Sequence, residues 1–261
     1  MYTEVTEQMP KVYISPSVQT YNLCEYGDTE KDHCQLYADI LQRYFDACGI
    51  EYRRNYNQTF QQAVAESNSW GPDFHYACHT NAFNGQTRYS VLLVYNAVAD
   101  NPAFECANDI REFRTSIYPN PIYVNQNRSL YEIRYSTSPC VYDEIVFHDN
   151  VDDATLFHVR MQSFAETTTR GFCRYFGIPF VYPEGVGLEP GVSDTPTAVQ
   201  TAASVGADTD SSADVPLGQA STPDFNQLMR MYSKCRNDML AMQHRHEQMV
   251  SDIQSILNQQ K

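Results

Sequence analysis

The sequence predicts an α/β fold, a twisted, mostly parallel or mixed sheet with helices on both faces, followed by a disordered linker and a C-terminal coiled-coil helix. Three observations carry this. Short runs rich in β-branched and aromatic residues alternate with longer segments of helical period between residues 11 and 176. Residues 184–224 then hold seven acidic side chains, no Lys or Arg, and mostly Gly, Pro, Ser, Thr and Ala. Such a segment buries too little to fold and reads as a linker. Beyond it, apolar residues return with a period of seven. The expected organisation is therefore a folded domain over 1–183, a linker over 184–224 and a helix over 225–261.

Within the folded domain, residues 11–15 (KVYIS) form the first strand, stopped by Pro16. Asp28 or Thr29 caps a helix with Glu30 and Asp32 in its first turn; Leu36, Ile40, Leu41, Tyr44 and Phe45 give its apolar face and Gly49 its end. Residues 50–53 form a second strand and 59–69 a second helix. In the strand over 73–79 (DFHYACH), alternation places His75, Ala77 and His79 on one face. Residues 89–95 form a further strand, 103–117 a helix, 122–124 a short strand and 139–147 the last strand. A helix over 152–176, broken near Phe157, is closed by Gly177.

Composition narrows the function. Residues 1–183 carry 13 basic and 22 acidic side chains, the linker seven acidic ones, and 225–261 five basic and three acidic, which together give the net charge of −14. An acidic folded part argues against an electrostatic grip on nucleic acid, anionic membranes or cell-wall polymers. No stretch approaches the roughly 20 apolar residues of a membrane span, and the first residues lack a basic region followed by an apolar core. The expectation is a chain cytoplasmic as synthesised, its eight scattered cysteines reduced.

The last strand contains the most informative residues. Asp143 and Glu144 sit among Val141, Tyr142, Ile145, Val146 and Phe147. A buried charge costs several kcal/mol unless compensated, so each carboxylate needs a reason. Asp143 faces opposite Glu144 and meets an Arg or a helix N-terminus. Glu144 either pairs with a cation such as Arg134 or stands at the strand end as a general base. In an open α/β sheet, ligands gather at the carboxyl ends of strands. His79 and Glu144 lie near that edge, and Glu30 opens the helix after the first strand. Glu30 and His33, three apart on that helix, share a face with each other. Glu30, His33 and His79, with Glu144 facing them, suit a catalytic zinc with an open position. His75 reads as packing, His148 as a cleft residue or a cap for the next helix, and Asn81 as a substrate-binding or turn residue.

The order of elements and three motifs, residues 27–39 (GDTEKDHCQLYAD), 73–82 (DFHYACHTNA) and 139–154 (PCVYDEIVFHDNVDDA), resemble the zinc-dependent N-acetylmuramoyl-L-alanine amidases of the Amidase_3 type. That family includes phage endolysins and bacterial wall hydrolases, and the resemblance spans residues 11–178. It implies that Glu30 and His79 are zinc ligands and that Glu144 is the catalytic glutamate. The implied reaction is hydrolysis of the amide between N-acetylmuramic acid and L-alanine in peptidoglycan. Where the family has Asp-Pro-Gly-His, this chain has Ser15-Pro16-Ser17-Val18-Gln19, so the first zinc histidine is absent. His33 is the expected substitute and Gln19 a poorer one, because a carboxamide binds zinc weakly. Three readings stand: an active zinc amidase of phage or prophage type, acting after release or within a phage particle; a degenerate fold serving as a structural or binding part of a phage-like assembly; and a metal hydrolase acting on another amide.

Phe225, Tyr232, Met239, His246 and Ile253 with Leu228, Cys235, Met242, Met249 and Ile256 fit the a and d positions of a heptad repeat. A lone helix cannot shelter that seam, so a homo-oligomer is the first expectation and docking back onto the folded domain the second. The full chain should sediment as a multimer, and a chain ending near Pro183 as a monomer. Ile253→Asp with Ile256→Asp should reproduce the truncation, because charges in the seam carry a large desolvation cost. A full-length chain that stays monomeric in the micromolar range overturns this expectation.

Overall fold

The computed structural model describes residues 9–185. The helix expected over 225–261, and the linker beyond residue 185, lie outside the described residues. Among the described residues, β1 (Lys11–Pro16), β2 (Glu51–Arg54), β3 (Phe74–Asn81), β4 (Ser90–Val94), β5 (Ile122–Gln126) and β6 (Cys140–Phe147) form one sheet in the order β2-β1-β3-β6-β4-β5. The first four in that order run parallel; β4 is antiparallel to β6 and parallel to β5. The carboxyl ends of β1, β3 and β6, neighbours in the sheet, therefore open on one edge.

The helices are α1 (Glu30–Cys48), α2 (Phe60–Trp70), α3 (Pro102–Arg114), α4 (Tyr131–Tyr135), α5 (Val151–Val159) and α6 (Met161–Phe176). A reciprocal capping box starts α1: Thr29 Oγ1 accepts the Asp32 N–H, and the Asp32 carboxylate accepts the Thr29 N–H. That cap makes Glu30 the first helical residue. The helix stops at Gly49, whose φ of 72° is a left-handed conformation that glycine adopts without strain. Asn150 caps α5, and the break expected near Phe157 falls at Arg160. Helix α4 was not expected: its five residues are too few to display a helical period, and no side chain caps it.

The pleat of β6 sorts its side chains between two layers. Val141 and Ile145 join Val12, Ile14, Phe74, Tyr76 and Cys78 in the larger core, packed with Tyr37, Leu41, Ile110, Phe164 and Phe172 of α1, α3 and α6. Cys140 and Tyr142 join Ala77 and Ile133 in a smaller core on the other side, toward α4. Gly171 lets α3 and α6 approach closely, since a Cβ there would stand 2.7 Å from the Ile110 backbone. No described helix is long and apolar enough to cross a membrane. The seven cysteines of the described residues are free thiols.

Asp143, on the larger-core face of β6, is fully buried and paired with the equally buried Arg114 of α3. The pairing is bidentate, Nη1 to Oδ1 at 2.7 Å and Nη2 to Oδ2 at 2.5 Å. Arg114 also donates to Ser90 Oγ and Thr168 Oγ1, and Asp143 accepts from the Tyr76 hydroxyl. One ion pair thus ties β3, β4, β6, α3 and α6 together.

Removing one partner of a buried pair leaves an uncompensated charge at a cost of about 3–5 kcal/mol. Arg114→Met should therefore lower the thermal midpoint by on the order of 10 °C. Arg114→Met combined with Asp143→Leu should recover part of that loss. A single variant that melts with the wild type contradicts this account.

Candidate active site at the carboxyl edge of the sheet

His79 lies at the carboxyl end of β3, directly opposite Glu144 of β6 in the register. Parallel partners point to the same face, so both side chains emerge on the side of the smaller core. Glu30, at the first turn of α1, reaches the same place. His79 Nδ1 lies 2.8 Å from Glu30 Oε1, and its ring stacks on Tyr142 with centroids 4.3 Å apart. On its other edge, His79 Nε2 lies 3.5 Å from Glu132 Oε2.

Glu132, on α4, is buried and anchors a chain of polar contacts along this face. Its Oε1 accepts from Ser15 Oγ at 2.5 Å and lies 3.1 Å from His75 Nε2. His75 Nδ1 lies 2.9 Å from Ser67 Oγ, and the ring stacks on Tyr13. His75 is thus the packing residue that its position two pleats inward implies.

The charges in this row support one another. Burial disfavours the charged imidazole, but the hydrogen bonds to Glu132 and Glu30 outweigh it and raise the His79 pKa to about 10. Burial alone would push Glu132 up, yet His75 and His79 bring it down to about 2. Glu30 is likewise lowered against its burial, by His79 and by the Asn22 amide.

Glu144 has a different environment. It is partly exposed, but its Oε2 is buried and has no hydrogen-bond partner. Burial raises its pKa to about 7; the His79 charge opposes this, and those of Glu30 and Asp143 add to it. The alternative pairing with Arg134 is not made, since that guanidinium lies over the Tyr135 ring. Beside His79 opens a cavity of about 220 Å³, lined in part by Ser17, Gln19, Phe60, Tyr131 and Tyr142. Glu144 is not part of this lining.

His33 does not join Glu30 and His79. It is buried, with Nε2 2.6 Å from Thr80 Oγ1 and Nδ1 3.3 Å from Asp28 Oδ2. Three residues along a helix turn the side chain by some 300°, and here that difference directs Glu30 to the sheet edge and His33 toward α5. The positions beside Glu30 belong instead to two carboxamides. Asn22 Nδ2 donates to Glu30 Oε2 at 2.7 Å, and Gln19 Nε2 lies 3.4 Å from Glu30 Oε1. The donor set around this pair is one imidazole, one carboxylate and the Gln19 carboxamide. That set fits a divalent ion, held more weakly than by a ligand set with two histidines.

His148 is buried beside the same group as His33, with Nδ1 2.9 Å from Thr80 Oγ1. Asn81 turns its amide oxygen back to the Ala82 N–H and lines a separate cleft with Tyr89, Val91 and Tyr123. Neither lines the cavity beside His79. Cys24, Asp28, His33 and His158 form a second cluster with the geometry of a metal-binding group, their ligand atoms all within 4.8 Å of one another. Sequence reasoning passed over Glu132, although it carries the same signal as Glu144, a carboxylate flanked by apolar Tyr131 and Ile133. It also passed over Asn22, Cys24 and His158, whose roles depend on contacts distant in the chain.

No protein-family profile matches this chain, and no curated relative does. Solved structures do match. The catalytic domain of the CD27L endolysin, which targets Clostridia difficile, is 20% identical; the match covers 63% of this chain and 97% of that one, with a TM-score of 0.56. The N-acetylmuramoyl-L-alanine amidase AmiC2 of Nostoc punctiforme is 16% identical, covering 64% and 97% with a TM-score of 0.56. The N-acetylmuramyl-L-alanine amidase Ami1 of Mycobacterium smegmatis gives the same four figures. The described chain has the fold of N-acetylmuramoyl-L-alanine amidase catalytic domains.

Proposed function

We propose that this chain is a cell-wall hydrolase that cleaves the amide between N-acetylmuramic acid and L-alanine in peptidoglycan. The observation that carries the reading is the convergence of His79, Glu30 and Glu144 at the edge of a sheet with this fold. The likeness to an endolysin supports a lytic enzyme of phage or prophage type.

Each residue has work to do in that reaction. Glu144, raised to about 7 and without a partner at Oε2, accepts the proton of the attacking water and returns it to the leaving amine. Glu132 holds His79 at Nε2 and so presents Nδ1 on the Glu30 side. Zinc, where bound, would be held by His79 and Glu30 with Gln19 alongside, and would supply a Lewis acid for the substrate carbonyl. Tyr131, Phe60 and Tyr142 offer the glycan and peptide an apolar wall.

One observation favours a second reading, a binding or structural module. Both Glu30 oxygens and both His79 nitrogens already have protein partners, so an ion pair stands where a metal would otherwise be needed. Hydrolysis of muropeptides by zinc-supplemented full-length protein separates the two. Glu144→Gln should retain the fold and metal content and lose roughly 10²–10⁴-fold in turnover. Unchanged turnover removes Glu144 from the mechanism, and a wild type that binds but does not cut supports the module.

A further inference from the structure

The loop between β1 and α1 meets α5 through Asp28 and His158. Residues 23–29 form a tight turn, with a bridge between Leu23 and Thr29 and Gly27 at a φ of 78°. The Cys24 N–H donates to the Asp28 carbonyl at 2.8 Å, which sets both side chains on one side of the turn. His33 follows one helical turn later, and His158 comes from α5. All four residues are buried or half-buried.

The two histidines each turn one nitrogen toward the same carboxylate. His158 Nδ1 lies 2.7 Å from the Ala154 carbonyl, which can only accept, so Nδ1 carries the proton. Its Nε2 lies 3.0 Å from Asp28 Oδ2. That contact is satisfied either by a proton on Nε2, as in an imidazolium–carboxylate pair, or by a metal ion bound to both atoms. His33 repeats the pattern: its Nε2 is held by Thr80, and its Nδ1, 3.3 Å from the same Oδ2, makes no hydrogen bond. Asp28 Oδ1 is buried and also makes none.

From this juxtaposition of Cys24, Asp28, His33 and His158 we infer a second metal site, a structural zinc site separate from the Glu30 and His79 pair. One thiolate, one carboxylate and two imidazoles make a closed tetrahedral set for this ion. Ligands at zinc bond lengths stand roughly 3.3–3.8 Å apart, and the four ligand atoms already lie within 4.8 Å of one another. The outer contacts are those of a metal site, with each histidine anchored through the nitrogen that does not face the cluster. On binding, the Cys24 thiol proton passes to water and sulfur forms its bond to the ion. The ion would clamp the loop that carries Gln19 and Asn22 onto α5, two residues before Glu30. The inference stands whether or not Glu30 and His79 take a metal.

Cobalt(II) tests it, because a cobalt–thiolate bond gives a near-ultraviolet charge-transfer band that oxygen and nitrogen ligands do not. Metal-free full-length protein titrated with cobalt should show that band together with the intense visible bands of a tetrahedral site. Cys24→Ser should lose the charge-transfer band with an unchanged circular dichroism spectrum, whereas His79→Gln should keep it. Should Cys24→Ser fail to fold, His158→Gln gives the same information through cobalt affinity. A drop of at least about 10-fold is expected, since even outer partners of a metal cost that much. Cobalt-loaded wild type without the sulfur band, a band that survives Cys24→Ser, or unaltered affinity in His158→Gln overturns the site.

Discussion

Two adjacent carboxylates on β6 face opposite ways, and the rest of the domain depends on that separation. The strand pleat sends Asp143 into the larger core and Glu144 toward the sheet edge. Asp143 meets Arg114, so its charge is compensated within the core by a bidentate pair. Glu144 meets no cation at Oε2 and is shifted toward neutrality by its own burial. Were the register of β6 to slip by one residue, these environments would exchange and both carboxylates would be misplaced. The ion pair thus holds the strand whose next residue is the candidate base.

The candidate site also shows how a buried row of charges satisfies itself. Glu132 lies between His75 and His79, and His79 between Glu132 and Glu30. Each histidine keeps a carboxylate ionised, and His79 is kept cationic by its two carboxylates. The row runs across β3, α4 and α1, three elements that touch only in the folded chain. Its two histidines serve different purposes: His75, stacked on Tyr13, is part of the packing, whereas His79 borders the cavity.

Around α1 the chain makes a second use of short spacing. Asp28, Glu30 and His33 lie within six residues, yet Glu30 serves the sheet edge while Asp28 and His33 turn to α5. Asp28 precedes the Thr29 cap, and the roughly 60° between Glu30 and His33 around the helix is enough to bring them to different partners. The same geometry explains why the absent first histidine of the resembling family is not replaced by His33. Gln19 and Asn22, from the loop before the helix, occupy the space beside Glu30 instead.

The alternation of apolar runs and helical periods was enough to read the strands and most of the helices from the chain alone. Capping residues such as Thr29 and stops such as Gly49 act on their own neighbours, so their effect is local and legible. For the same reason the opposition of Asp143 and Glu144 follows from the strand period. Only the tertiary structure decided which cation meets Asp143, that Glu132 supports His79, and that His33 stands with Cys24, Asp28 and His158. Those partnerships join residues brought together by sheet order and helix packing across long sequence separations, and a single chain's pattern carries no record of such distances.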